Sequence, residues 1–147
     1  MLGVSAANRP ATAPLRYPAD VGLRSPDVVL LAPEWRPRAL LRAQLIEEGL
    51  EVLAADAWPA MRAQLRPGAK PRLAIVDLKG LPDPDGVLGN LRVLMKPDRV
   101  LVLTAAGTIT GSRIERLGFR VLRRPVAIET IVRTASDALR SPGNAGA

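Results

Sequence analysis

Five short apolar runs recur along the chain, each followed by a stretch of helical composition. The runs are "DVVLLAP" (27–33), "LEVLAADA" (50–57), "PRLAIVDL" (71–78), "DRVLVLTAAG" (98–107) and "FRVLRRP" (119–125). Such a run has no polar side to turn to water, so as a strand it must be covered on both faces. The intervening stretches supply the cover. "PRALLRAQLIEEG" (37–49) places Pro37 in a first turn and Gly49 as a stop, and "WPAMRAQLRPG" (58–68) repeats the device with Pro59 and Pro67-Gly68. "GVLGNLRVLM" (86–95) and "TGSRIERLG" (110–118) follow. In "AIETIVRTASDALR" (127–140), Ile128, Ile131, Val132, Ala135 and Leu139 fall on one helical face. Five strands alternating with five helices specify an α/β domain built on a parallel sheet.

The 147 residues suffice for one domain with a real core. Residues 1–25, with Pro10, Pro14 and Pro18 and no period, read as a flexible arm, and 141–147 as a disordered tail, leaving 26–140 as the folded unit. The start lacks the pattern of a secretory signal and no stretch is long and apolar enough to span a bilayer, so the expected location is the cytoplasm. Cysteine and histidine are absent. That removes disulfides, thiolate nucleophiles, His bases and the common zinc sites together. No GxxxxGK[ST] or GxGxxG loop is present, so an independent enzyme is not expected. The net charge of +7 is carried almost wholly by Arg, with Lys only at 70, 79 and 96. Aromatics amount to 3%, too few for base stacking, and the Arg residues are not gathered on one helix, so nucleic acid ranks last among the expected partners.

Loops that follow the strands of a parallel sheet collect at its carboxyl edge, where ligands bind. Four strand ends meet there: Ala32-Pro33, Asp77, Thr104 and Arg124-Pro125. Three of them carry a resemblance. "LAIVDLKGLPDPDG" (73–86), "VLVLTAAG" (100–107) and "RVLRRPVAIETI" (120–131) resemble the strand ends of a response-regulator receiver domain, the phosphoacceptor module of two-component signalling. The resemblance covers about Asp27 to Arg140. It implies a flavodoxin-like (βα)5 three-layer sandwich with strand order 2-1-3-4-5. It also implies Asp77 as the phosphoacceptor candidate, Thr104 as the hydroxyl that contacts the phosphoryl group, and Arg124-Pro125 in place of the family's Lys-Pro pair. A cis Arg124-Pro125 bond suits that pattern.

The departures bear on function. The family's first strand ends in two acidic residues that hold Mg²⁺; Ala32 and Pro33 stand there instead, with Glu34 one residue beyond. Neither Ala nor Pro offers the carboxylate oxygens that Mg²⁺ requires. The loop after Asp77 is one residue longer, at Gly80, and Val121 replaces the switch aromatic. Phosphoryl transfer to a carboxylate needs a cation to neutralise the incoming oxygens. The expectation is therefore a stand-alone, receiver-like module of phosphorelay signalling, with phosphorylation weakened or lost, a pocket frozen by a bidentate Asp77–Arg124 pair, and no cofactor. Mg²⁺ enters only if Asp77 is phosphorylated. A working phosphoacceptor modified by a histidine kinase is the alternative, and a basic nucleic-acid-associated regulator a more distant one. With no effector domain expected after residue 140, output passes through a signalling protein partner. The surface of the fourth helix, fifth strand and fifth helix, with Arg113, Arg116, Arg120, Arg123 and Arg133, suits an acidic protein surface, or a second copy in a homodimer.

Overall fold

The computed structural model describes residues 25–104 and 111–141. The arm and tail expected at 1–25 and 141–147 lie, but for Ser25 and Ser141, outside them. Five strands, β1 (Val28–Leu31), β2 (Val52–Ala55), β3 (Leu73–Asp77), β4 (Val100–Thr104) and β5 (Arg120–Arg123), form one parallel sheet in the order β2-β1-β3-β4-β5. Helices α1 (Trp35–Glu47), α2 (Trp58–Gln64), α3 (Pro84–Leu94), α4 (Gly111–Arg116) and α5 (Ile128–Arg140) connect and cover them. This is the expected flavodoxin-like three-layer sandwich.

The apolar runs are continuous because each strand feeds two cores. Alternate residues of a strand point to opposite faces. Val29, Leu31, Leu53, Ala74, Val76, Val100 and Val102 pack with Met61 of α2, Leu88 and Leu91 of α3 and Ile114 of α4. Val28, Leu30, Val52, Leu73, Ile75, Leu101 and Leu103 pack on the other side with Leu41 and Leu45 of α1 and Ile131, Val132 and Ala135 of α5. The face expected on α5 is therefore the buried one, with Ile128 and Leu139 at its margins. Strand β5 differs: as an edge strand it leaves Arg120 and Arg123 exposed and only half-buries Val121 and Leu122.

Local chemistry shifts several boundaries. Helix α1 starts two residues before Pro37, which still sits in the first turn where its missing N–H costs nothing. Helix α3 starts at Pro84, two residues before the expected Gly86, because Asp83 caps it. Asp83 adopts a left-handed conformation (φ 50°) and accepts a hydrogen bond from the Gly86 amide at 3.2 Å. Asp98 and Arg99, expected in the fourth strand, instead belong to a short 3-10 turn, Pro97–Arg99.

The far end of α5 accounts for two arginines. Its last carbonyls receive Arg99 at Ala138 and Ser141 and Arg72 at Leu139, the Arg72 bond at 2.9 Å. Cationic donors at a helix C-terminus satisfy orphan carbonyls and complement the dipole. Part of the Arg excess is thus structural.

Two glycines of α3 separate these local effects. A Cβ at Gly86 would overlap the Asp83 carboxylate, whereas one at Gly89 meets nothing within 4 Å. Gly86→Ala is expected to destabilise the fold by about 1–2 kcal/mol through loss of the cap, and Gly89→Ala to stabilise it by about 0.5–1 kcal/mol. Urea unfolding of the two variants should give midpoint shifts of opposite sign.

Candidate functional site

The strand parity that builds the two cores also decides what meets at the carboxyl edge. Leu30 and Ile75 point toward α1 and α5, so the residues two positions further on, Ala32 and Asp77, leave on that same side. Together with Leu103, Pro37, Leu41, Val126, Ile128, Ile131 and Arg124 they enclose a cavity of about 40 Å³. Asp77 is 2% exposed. A carboxylate so deeply placed needs compensating donors, and it has two. Its Oδ1 accepts the Lys79 amide at 3.0 Å, and its Oδ2 accepts Arg124 Nη2 in a short ion pair.

The pair is one-pronged, which corrects the bidentate expectation. The Lys79 amide closes a turn of the Asx kind on the other oxygen, Oδ1. The Arg124 Nε is buried and has no hydrogen-bond partner. Arg124 is positioned by the backbone: its amide donates to the Thr104 carbonyl at 2.9 Å, and a cis peptide bond joins it to the exposed Pro125. Thr104 is buried, and by parity with Val100 and Val102 it belongs to the opposite face from Asp77. Its carbonyl, through the Arg124 amide, is the link to the pair.

Around this pair the loops are stitched together. Lys79 keeps an exposed side chain that reaches Glu34 Oε2 at 3.6 Å. A Cβ at Gly80 would stand 3.7 Å from Pro33 Cβ, so the loop after β3 lies close to the loop after β1. Arg38 of α1 donates Nη1 to two carbonyls at the end of β1, Ala32 at 2.7 Å and Pro33 at 3.2 Å. Sequence reasoning missed Arg38, because its partners are main-chain oxygens and leave no side-chain signature.

The basic surface is partly spent inside the chain. Arg123 pairs with Glu115 at 3.3 Å, Arg113 lies 4.0 Å from Asp85 of α3, and Arg120 donates to the Asp98 carbonyl at 2.9 Å. Arg116 and Arg133 are exposed.

Solved structures share this architecture. NtrX from Brucella abortus, in complex with ADP, superposes with a TM-score of 0.64 at 24% identity over 79% of this chain; the chain spans 27% of that protein's length. The signal receiver domain of a modulated diguanylate cyclase from Desulfovibrio desulfuricans matches at 0.60 and 23% identity, covering 79% of this chain and 94% of that one. A response regulator from Thermotoga maritima matches at 0.60 and 17% identity, covering 80% of this chain and 100% of its own. This is the receiver fold. Neither a family model nor a curated sequence matches the chain.

The sequence resemblance implies a Mg²⁺ centre at this edge, against which the residues present can be compared. Among the described residues no three acidic side chains are grouped to hold a metal. Ala32 and Pro33 offer carbonyls alone, and Arg38 already occupies them. Glu34 is turned to Lys79. These donors do not fit a hard divalent cation, which takes oxygen ligands free of competing charge.

Breaking a buried pair leaves an uncompensated charge, whereas removing both partners does not. Arg124→Met is expected to destabilise the domain by about 3 kcal/mol, and Asp77→Asn/Arg124→Met by clearly less than the sum of the single changes. A double-mutant cycle by chemical denaturation measures the coupling, and additive effects would show that the pair contributes nothing.

Proposed function

We propose that this chain is a receiver-like signalling module that works by docking a protein partner, in the cytoplasm, without phosphorylation at Asp77. The observation that carries this reading is the state of the Asp77 carboxylate, whose two oxygens are both engaged, one by a guanidinium and one by a backbone amide. A phosphoacceptor must aim an oxygen lone pair in line with the incoming phosphorus, beside a cation that neutralises the transferring group. Here the oxygens are engaged and the donor set for that cation is replaced by Ala32 and Pro33. Arg124 supplies positive charge, but it spends that charge on Asp77 itself.

The partner is an acidic protein surface. Arg116 carries exposed charge on α4, framed by the ion-paired Arg113 and Arg123, while Arg133 is exposed on α5, where it lines a groove with Gln44 and Glu48 of α1. Their field would steer an acidic partner and weaken in salt. Arg120 contributes less, since its guanidinium is turned toward the start of β4.

Incubation with acetyl phosphate or phosphoramidate in the presence of Mg²⁺, followed by intact-mass measurement, tests the reading. The expected result is an unmodified chain. A phosphoryl adduct that disappears in Asp77→Asn would overturn it and restore the working phosphoacceptor.

A further inference from the structure

Arg38 has no obvious reason to be where it is. It lies early in α1, a helix with no acidic residue in its first turn and no side-chain cap, and a cation near a helix N-terminus opposes the macrodipole. Arg36 sits in the same turn and stacks over the Trp35 ring at 5.6 Å. Arg38 instead turns back to the end of β1. One terminal nitrogen donates to both the Ala32 and Pro33 carbonyls, at 2.7 and 3.2 Å, and the side chain is half-buried.

Those two carbonyls belong to the residues that replace the acidic pair. The neighbouring oxygens are claimed as well: Asp77 Oδ2 by Arg124, Asp77 Oδ1 by the Lys79 amide, and Glu34 Oε2 by Lys79 Nζ at 3.6 Å. Three side-chain cations, from α1, the loop after β3 and the end of β5, thus serve the edge from three directions.

The geometry points to Arg38 as a resident cation that stands in for a metal ion on the last carbonyls of β1 and bars divalent cations from this edge. The inference rests on the docking reading above and adds to it a cause beyond the missing carboxylates. A guanidinium is a planar cation with several fixed donors, suited to holding two carbonyls at once. A divalent ion seeking these carbonyls would have to displace it and meet its charge at short range. Restoring carboxylates would not be enough to restore a metal site. An aspartate at position 32 or 33 would find Arg38 beside it and pair with it.

The test compares wild type, Ala32→Asp/Pro33→Asp, and Ala32→Asp/Pro33→Asp/Arg38→Ala, with Mn²⁺ as the probe and paramagnetic broadening of backbone amides around Asp77 as the readout. Saturable broadening is expected in the triple variant alone. Equal Mn²⁺ affinity in the double and triple variants, or none in a folded triple variant, would overturn the role of Arg38. Saturable Mn²⁺ binding by the wild type would overturn it too, while the docking reading stands or falls separately on the phosphorylation assay. If the acidic variants fail to fold, the wild type still decides. Its Arg38 guanidinium protons should exchange slowly and stay sharp on addition of Mn²⁺; rapid exchange, as for a solvated arginine, or broadening overturns the proposal.

Discussion

A carboxylate buried at the end of a strand is the constraint around which this molecule is arranged. Asp77 follows four apolar residues into the interior and has almost no contact with water. Its desolvation is tolerable only if donors arrive from elsewhere. The Lys79 amide is brought by a turn two residues on, and the Arg124 guanidinium by a strand two places away in the sheet. That second requirement ties β5, an exposed edge strand with little core of its own, to the centre of the domain. The Thr104 carbonyl and Arg124 amide hold the register in which the pair forms.

The result is an edge that supplies its own counter-charges. Arg124 and Lys79 each join two segments distant in sequence, and Arg38 joins α1 to the end of β1. In a site built around a metal and a modifiable carboxylate, the charge balance changes with each binding or transfer step. Here covalently attached groups, Arg124, Lys79 and Arg38, supply counter-charge to the edge.

Much of this was legible in the chain. Each expected strand appears, since an apolar run between turn residues has few other uses, and the α5 stripe of Ile131, Val132 and Ala135 is the buried one. The gathering of Ala32, Asp77 and Arg124 followed from the general rule that loops of a parallel sheet collect at one edge. Other features left weaker traces. The start of α3 at Pro84 depends on Asp83 adopting a left-handed conformation, which the stretch Pro82-Asp83-Pro84 permits but does not require. The roles of Arg38, Arg72 and Arg99 were hidden, because each addresses backbone carbonyls and a carbonyl has no letter in the sequence.

By itself, then, the chain determined the layering, the strand sequence and the identity of the residues at the edge, because hydrophobic period and turn chemistry are local and additive along the backbone. Tertiary structure alone decided how the charges at that edge are shared. That Arg124 meets a single Asp77 oxygen while the Lys79 amide meets the other shows only in the folded chain. The division of the arginines between structure and surface turned on which carbonyls and carboxylates came within reach. Electrostatic partnership depends on distance in space, and only the folded sheet brings residues 38, 77, 79 and 124 to one place.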